Sequence, residues 1–367
     1  MKTGTRFKLC SRAVVAGAIA ICSSQAFAEI EVLDRRSLGE DPHAYAAFPS
    51  LFFTSERKIV IRFAKRSEDS HYEAPYTTIS YESSDQGKSW QSSLRNTVNP
   101  FFSVGEESFV MPYVPGWEKV GNGYGGNARL FERNGQYYIS NKLLVGTSEN
   151  SGKTWTTSGF SGPKVAVVKN YNESALLKTA EGFKLMSVYG RVSTSEKTEP
   201  FLLESKNGRD WTMRRMYPSG LREQDPGLNE TALVENSGGT IFAIMRSEPD
   251  SNGYLYSAKS IDGGKTWTYP QRTAIEGYPA NAIRAGHHIV LSYGYRKLPM
   301  GVRVAILDEN SLKPLEQRAL TSDASGSGSN VGYPETLALS NDSFLTVFYT
   351  TGAANVTHIE YVIWQLR

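Results

Sequence analysis

The sequence predicts an all-β fold: a six-bladed β-propeller of four-stranded antiparallel blades, closed by pairing of the chain ends. Three observations lead there. A turn octet recurs along the chain, the blocks around it share one pattern of apolar runs, and both ends of the chain beyond its leader read as strands.

The octet is clearest at Ser260-Ile261-Asp262-Gly263-Gly264-Lys265-Thr266-Trp267. An Asp side chain that can accept backbone N–H bonds, followed by two glycines tolerant of positive φ, is tight-turn chemistry. The Trp adds a large apolar anchor just beyond the turn. Ser83-Ser84-Asp85-Gln86-Gly87-Lys88-Ser89-Trp90 repeats the pattern, and Ser148-Glu149-Asn150-Ser151-Gly152-Lys153-Thr154-Trp155 repeats it with Asn for Asp. Ser205-Lys206-Asn207-Gly208-Arg209-Asp210-Trp211 is one residue shorter. The copies start 65, 57 and 55 residues apart, a spacing that indicates repeated supersecondary units.

Each block opens on a polar stretch, runs into an apolar strand, turns, and continues into a longer apolar strand. Asn172–Leu177 leads to Tyr189-Gly190-Arg191, Asn229–Val234 to Met245-Arg246, and Gly332–Leu337 to Val347-Phe348-Tyr349. Ala46-Ala47-Phe48-Pro49-Ser50-Leu51 leads to Arg62-Phe63, and Tyr278-Pro279-Ala280-Asn281 to Tyr293. A further block at 101–165 makes six units, each read as one blade. The ends Glu29–Leu33 and His358–Trp364 are strand-like and are expected to share the last blade, which removes open sheet edges. The Gly-rich run Gly121–Gly126 and the Ser325–Asn330 stretch read as loops.

Residues 1–28 read as a signal peptide, leaving 29–367 as one propeller domain. Lys2, Arg6, Lys8 and Arg12 form the basic region, Ala13–Ile21 the apolar region, and Ala26-Phe27-Ala28 the cleavage site. The apolar run is too short to span a membrane, so an exported protein, periplasmic or extracellular, is expected. Both cysteines, Cys10 and Cys22, lie in this leader, so the mature chain has no disulfide, thiolate metal site or Cys nucleophile. Removing the leader's four basic residues from the 40 Lys and Arg leaves 36 against 37 Asp and Glu. A near-neutral chain argues against nucleic acid as a partner. No metal-ligand motif or phosphate-binding loop is found, so neither metal nor cofactor is expected, and a monomer is expected.

The octet resembles the Asp-box (BNR) repeat of the sialidase superfamily, and the likeness covers nearly all of residues 40–367. It implies a six-bladed propeller whose first strands surround the axis, so that Glu173, Glu230 and Tyr333, at the openings of such strands, converge on one cavity. Arg191 and Arg246, ending second strands, point the same way. The resemblance further implies a Tyr nucleophile with a Glu partner, matched by Tyr333 in Gly332-Tyr333-Pro334 and Glu230 in Asn229-Glu230-Thr231. A tyrosine suits a sugar that carries a carboxylate on its reacting carbon, because it avoids charge repulsion with that group. Of the family's three carboxylate-clamping arginines, Arg246 matches the second and Arg303 the third, while Arg66 resembles an additional cavity arginine.

Two positions depart from the pattern. Ala47 stands where the first clamp arginine is expected, and the general acid falls to His71 or Asp69 in Ser67-Glu68-Asp69-Ser70-His71. His43, Arg296 and Glu335 remain further cavity candidates, whereas Asp85 and Asp262 read as structural. The expected function is an exported exo-glycoside hydrolase releasing a terminal acidic sugar, with an acidic glycan as its partner. A uronate-specific polysaccharide lyase and a carbohydrate-binding propeller without chemistry are the alternatives.

Overall fold

The computed structural model describes residues 29–39, 41–54, 56–66, 77–92, 102–103, 109–113, 131–133, 136–138, 144–148, 156–161, 166–168, 176–182, 184–191, 197–207, 210–248, 253–325 and 330–367. The chain is an all-β propeller with five four-stranded blades among these residues, not six. In chain order the first blade is Tyr45–Phe53, Ile59–Arg66, Thr77–Ser83 and Gln91–Ser92. The second is Leu176–Lys178, Lys184–Arg191, Glu199–Ser205 and Trp211–Arg215. The third is Leu228–Glu235, Ile241–Ser247, Tyr254–Ser260 and Gln271–Glu276. The fourth is Tyr278–Ala285, His288–Tyr295, Gly301–Asp308 and Pro314–Ala319. The fifth takes Gly332–Ala338, Ser343–Thr351 and Thr357–Leu366 from the end of the chain and Ile30–Leu38 from its start.

The blade count is corrected at the 101–165 block. Of its described strands, Phe131–Arg133 and Gln136–Tyr138 pair only with each other, and the others join the sheet of the second blade. Thr156–Ser161 pairs in parallel with Trp211–Arg215, matching Phe160 to Trp211 and Ser161 to Thr212. This joins Phe102–Ser103, Phe109–Tyr113 and Leu144–Ser148 to the second blade in one nine-stranded sheet. Backbone pairing thus runs through the place where a blade boundary was expected. Strand length does not decide it, since the complete blades also contain strands as short as Gln91–Ser92 and Leu176–Lys178; the long-range pairing does.

The chain ends pair antiparallel from Ile30 opposite Leu366 to Leu38 opposite Ile359. Arg35 grips Glu360 on the neighbouring strand through Nε at 2.7 Å and Nη2 at 3.0 Å, and reaches Asp323 at 2.8 and 2.9 Å. A fork of donors between two carboxylates suits arginine and not lysine.

Apolar residues pack between adjacent blades rather than in one central mass. Leu51, Ile61 and Phe63 of the first blade meet Val347, Tyr349 and Tyr361 of the fifth. Val234 and Ile244 of the third meet Ala282 and Leu291 of the fourth, and Leu202 of the second meets Leu233 and Ala243 of the third.

The turn octets fasten these layers. At Ser260–Trp267, Ser260 Oγ accepts from the Gly264 N–H at 2.8 Å and donates to Asp262 at 2.7 Å. Asp262 also accepts from the Thr266 N–H at 2.9 Å and its hydroxyl at 2.5 Å. Ser83, Asp85, Gly87 and Ser89 repeat this network at 2.8, 2.8, 2.9 and 2.5 Å. The glycines face the preceding blade. A Cβ on Gly264 would lie 2.8 Å from Leu185 Cδ1, and one on Gly87 would lie 2.5 Å from Leu345 Cδ1. Trp90 adds an edge contact to Tyr361 of the fifth blade, with ring centroids 5.5 Å apart. These two octets therefore each clip one blade onto the one before it. In the shorter copy Asn207 takes the Asp role, accepting from the Asp210 N–H at 2.9 Å. The copy at 148–155 lies outside the described residues apart from Ser148.

Candidate active site

Three first strands carry the same backbone device. Pairing slips between Asn229 and Ala232 in the third blade, Gly332 and Glu335 in the fifth, and Ala47 and Ser50 in the first. Each slip sets two residues of the first strand against one of the second, a β-bulge. The first bulged residue is Glu230 at φ 40, Tyr333 at φ 48 and Phe48 at φ 56. Positive φ is costly for side chains of this size, and such strain is typical of functional sites. A bulge also re-aims its side chain, and here it turns three of them toward one another.

Neighbouring blades hold these bulges in place. Ser187 Oγ donates to the Thr231 carbonyl at 2.6 Å, and the Leu228 N–H donates to the Thr198 carbonyl at 2.8 Å. The Tyr333 strand is tied to the fourth blade through Asn281, which donates to Glu335 at 2.5 Å and accepts from the Thr336 N–H at 3.2 Å.

The Tyr333 hydroxyl donates to Glu230 Oε1, residues 103 positions apart in sequence. Arg246 Nη1 donates to Glu230 Oε2 at 2.5 Å and lies 3.5 Å from the Tyr333 hydroxyl. Arg246 stands opposite Asn229, immediately beside the bulge that aims Glu230. Tyr333 is 7% exposed and Glu230 3%. Burial and the Glu230 charge together push the Tyr333 phenol well above its ordinary value, with Arg246 opposing. Burial works against the Arg246 charge, but Glu230 and Tyr333 more than offset it, so the guanidinium holds its proton more tightly than a free arginine. The phenol is thus protonated at rest, with a carboxylate placed to take its proton and a fixed cation beside both. Arg246 Nε is buried without a hydrogen-bond partner among the described residues.

The remaining residues singled out from the sequence fall in several places. Arg66 is buried at the end of its strand, with its guanidinium 5.9 Å from the Tyr45 ring centre. Arg303 lies on the third strand of its blade, 3.4 Å over the Tyr295 ring. Arg191 ends its strand opposite Ala166, and its side chain lies outside what is described. Glu173, Asp69 and His71 lie outside the described residues. Ala47 is buried beside the first-blade bulge.

Sequence reasoning gave no role to Tyr278, Tyr189 and Phe48 at this site, and it named Arg296 only as a cavity candidate. Tyr278 sits between two cations, 5.7 Å from the Arg246 guanidinium and 5.2 Å from that of Arg296. Arg296 is fixed by donating from Nε to the Val331 carbonyl at 3.1 Å, and Gly332 lies against its guanidinium. Tyr189, on the second strand of the second blade, lies near both Arg246 and Tyr333. Phe48 meets the Tyr333 ring edge-on, with centroids 5.3 Å apart. A signal was available for Phe48 and Tyr278. Phe48-Pro49, Tyr278-Pro279 and Tyr333-Pro334 are aromatic–proline pairs at the openings of three first strands. Each lies in a register slip, where proline's missing N–H costs no ladder bond.

Further along the axis the first strands enclose a cavity of about 520 Å³, lined by Leu51–Thr54, Leu233–Glu235 and Asn281–Arg284 among others. Among the described residues no group of three or more His, Cys, Asp or Glu side chains is placed to hold a metal ion. No helix among them is long and apolar enough to cross a membrane.

No protein-family model and no curated protein matches the chain. Solved structures do. A Dyadobacter fermentans protein of unknown function matches with a TM-score of 0.72 at 21% identity, over 92% of this chain and 99% of that one. The intramolecular trans-sialidase of Ruminococcus gnavus, in complex with oseltamivir carboxylate, matches with a TM-score of 0.56 at 13% identity, over 89% and 96%. The GH93 α-L-arabinofuranosidase of Fusarium graminearum, in complex with arabinobiose, matches with a TM-score of 0.55 at 11% identity, over 92% and 97%. At these identities the likeness is one of fold, and the latter two are propeller glycosidases.

Proposed function

We propose that this chain is a retaining exo-glycoside hydrolase of sialidase type that releases a terminal carboxylated sugar. The observation that carries the reading is the Tyr333–Glu230 hydrogen bond with Arg246 beside it. The propeller glycosidases among the fold neighbours support it at the level of fold.

In the first step the Tyr333 oxygen attacks the anomeric carbon. Its proton passes to Glu230, and the glycosidic bond breaks with protonation of the leaving oxygen by an acid, for which His71 and Asp69 stand as the candidates. Water then attacks the glycosyl–tyrosine and gives its proton to the residue that had protonated the leaving oxygen, the Tyr333–carbon bond breaks, and Glu230 returns its proton to Tyr333. Two displacements retain the anomeric configuration. A phenol is a weak nucleophile at its ordinary pKa and needs such a base in contact.

Arg246, whose side chain is partly exposed beside the Tyr333 hydroxyl, takes the sugar carboxylate. Arg296 takes the second arm, because it shares Tyr278 with Arg246, whereas Arg303 is engaged with Tyr295. Export through the 1–28 leader would place the enzyme among extracytoplasmic glycans.

Phe48 beside the nucleophile favours a second reading in which the sugar carries no carboxylate. One assay separates the two: aryl glycosides of sialic acid, of a uronic acid and of arabinofuranose, with wild type and Tyr333→Phe. Turnover of an acidic glycoside that Tyr333→Phe abolishes supports the first reading. Turnover of the arabinofuranoside alone supports the second, and no turnover of any removes both.

A further inference from the structure

We propose that Phe48 is a positioning residue for Tyr333, forming with Tyr349 an aromatic clamp that fixes the plane of the reacting ring. This rests on the reading that Tyr333 is the group that reacts.

The three rings touch pairwise. Phe48 meets Tyr333 edge-on, at 5.3 Å between centroids and 81° between planes. Tyr349 stacks on Tyr333 at 5.8 Å and 25°, and Phe48 closes the triangle against Tyr349 at 5.5 Å and 56°. These are the edge-to-face and offset-stacked geometries that aromatic pairs favour. The hydrogen bond to Glu230 holds one end of Tyr333, its hydroxyl. One tether leaves the ring free to turn about its own axis and to tilt. An edge contact on one side and a stacked ring on the other remove those motions, and so fix the direction in which the oxygen lone pair points.

The backbone shows that this placement is not incidental packing. Phe48 occupies the same bulge position in the first blade that Glu230 and Tyr333 occupy in the third and fifth. It keeps φ 56 there, where glycine or asparagine would sit with less strain. A phenylalanine needed only to fill space could stand at an unstrained strand position. Pro49 locks the device, since it fixes its own φ and offers no N–H to restore regular pairing. Phe48 is half-buried, whereas Tyr349 is fully buried, so the clamp has one jaw at the site and one in the core. Tyr349 stands opposite Gly332 on the neighbouring strand, which ties the buried jaw to the bulge that carries Tyr333.

The test compares Phe48→Leu, Phe48→Gly and Phe48→Tyr with wild type, recording kcat, KM and Tm on an aryl glycoside that wild type turns over. In Phe48→Gly, relief of positive-φ strain offsets part of the lost packing, so its Tm stays close to that of wild type. Both Leu and Gly are expected to lower kcat about 10- to 100-fold with KM within about 3-fold, the signature of a displaced reacting group. Phe48→Tyr, which keeps the ring, is expected to restore kcat to within about 3-fold of wild type. Should Leu and Gly fail to fold, Tyr349→Phe against Tyr349→Leu asks the same question of the other jaw, with the ring-keeping variant active and the other impaired.

Unchanged kcat in Phe48→Leu, a change in KM alone, or a loss of kcat that Phe48→Tyr does not restore would overturn the clamp. If Tyr333→Phe is inactive while Phe48→Leu is fully active, the clamp fails alone. If Tyr333→Phe retains turnover, the reaction assignment fails and the clamp with it.

Discussion

Tyr333 and Glu230 lie two blades apart, and their side chains share a hydrogen bond because each sits at the first position of a β-bulge in an axial strand. Removing the base tests that pairing. Glu230→Gln keeps the shape and a hydrogen bond but cannot accept the proton at neutral pH. Turnover is expected to fall by about 10²- to 10⁴-fold with KM little changed. The check is steady-state kinetics of wild type and variant side by side, and an unchanged kcat in the variant would contradict the role of base.

Arg246 compensates a carboxylate that is almost wholly out of water. Arg246→Leu leaves Glu230 buried without its cation, and stability is expected to drop by about 3–5 kcal/mol. Chemical denaturation of wild type, Arg246→Leu and the double variant Arg246→Leu/Glu230→Leu measures it. The double variant should recover most of the loss, because the cost lies in the stranded charge. A double variant as unstable as the single one would mean that packing dominates.

How much was legible in the sequence follows from what each signal encodes. Turn chemistry is local, so the octets at Ser83–Trp90 and Ser260–Trp267 could be read directly. The meeting of Tyr333, Glu230 and Arg246 followed from the repeat, because blade openings converge wherever the first strands surround an axis. Their roles remain a proposal. The number of blades was not legible: whether Thr156–Ser161 closes its own sheet or pairs with Trp211–Arg215 depends on long-range backbone pairing, which residue type does not report. Phe48 was missed for a related reason. A bulge inverts the direction a side chain takes, and alternation alone places Phe48 no differently from any other strand aromatic. Arg296, a cavity candidate from the sequence, lies just past its strand, and its bond to the Val331 carbonyl is a tertiary contact that the sequence did not show.

The octet aspartates give the fold a pH dependence. Hydrogen bonds from the Thr266 hydroxyl and N–H lower the Asp262 carboxyl from 3.8 to about 2, and those from Ser89 do the same for Asp85. A folded-state pKa depressed in this way contributes stability above the ordinary carboxylate range, and that stability is lost as pH falls from about 4 toward 2. Asp262→Ala is expected to lower Tm by roughly 2–4 °C at pH 7. Thermal melts from pH 7 to 2.5 should show wild type and variant converging at the acid end. A gap that persists unchanged would place the effect in the backbone turn and not in the charge.

Gly264 tests whether the octet clips one blade to the next. At φ 87, with Leu185 Cδ1 2.8 Å from where a Cβ would be, Gly264→Ala meets both backbone strain and the second blade. A loss of about 1–3 kcal/mol is expected. Leu185→Ala in the same background should return part of it, since it removes the clash and leaves the strain. Double-mutant denaturation provides the coupling energy, and a value near zero would mean that the turn and the neighbouring blade are independent.

The central claim is that Tyr333 forms a covalent bond to the sugar. The direct measurement is mass spectrometry of the protein after incubation with a fluorinated glycosyl fluoride of the acidic sugar it turns over, which slows breakdown of the intermediate more than its formation. The expected result is a gain of one glycosyl mass in wild type, located to the peptide that carries Tyr333 and absent from Tyr333→Phe. An adduct on another residue, or continued turnover of the natural glycoside with inversion and no adduct, would contradict the account.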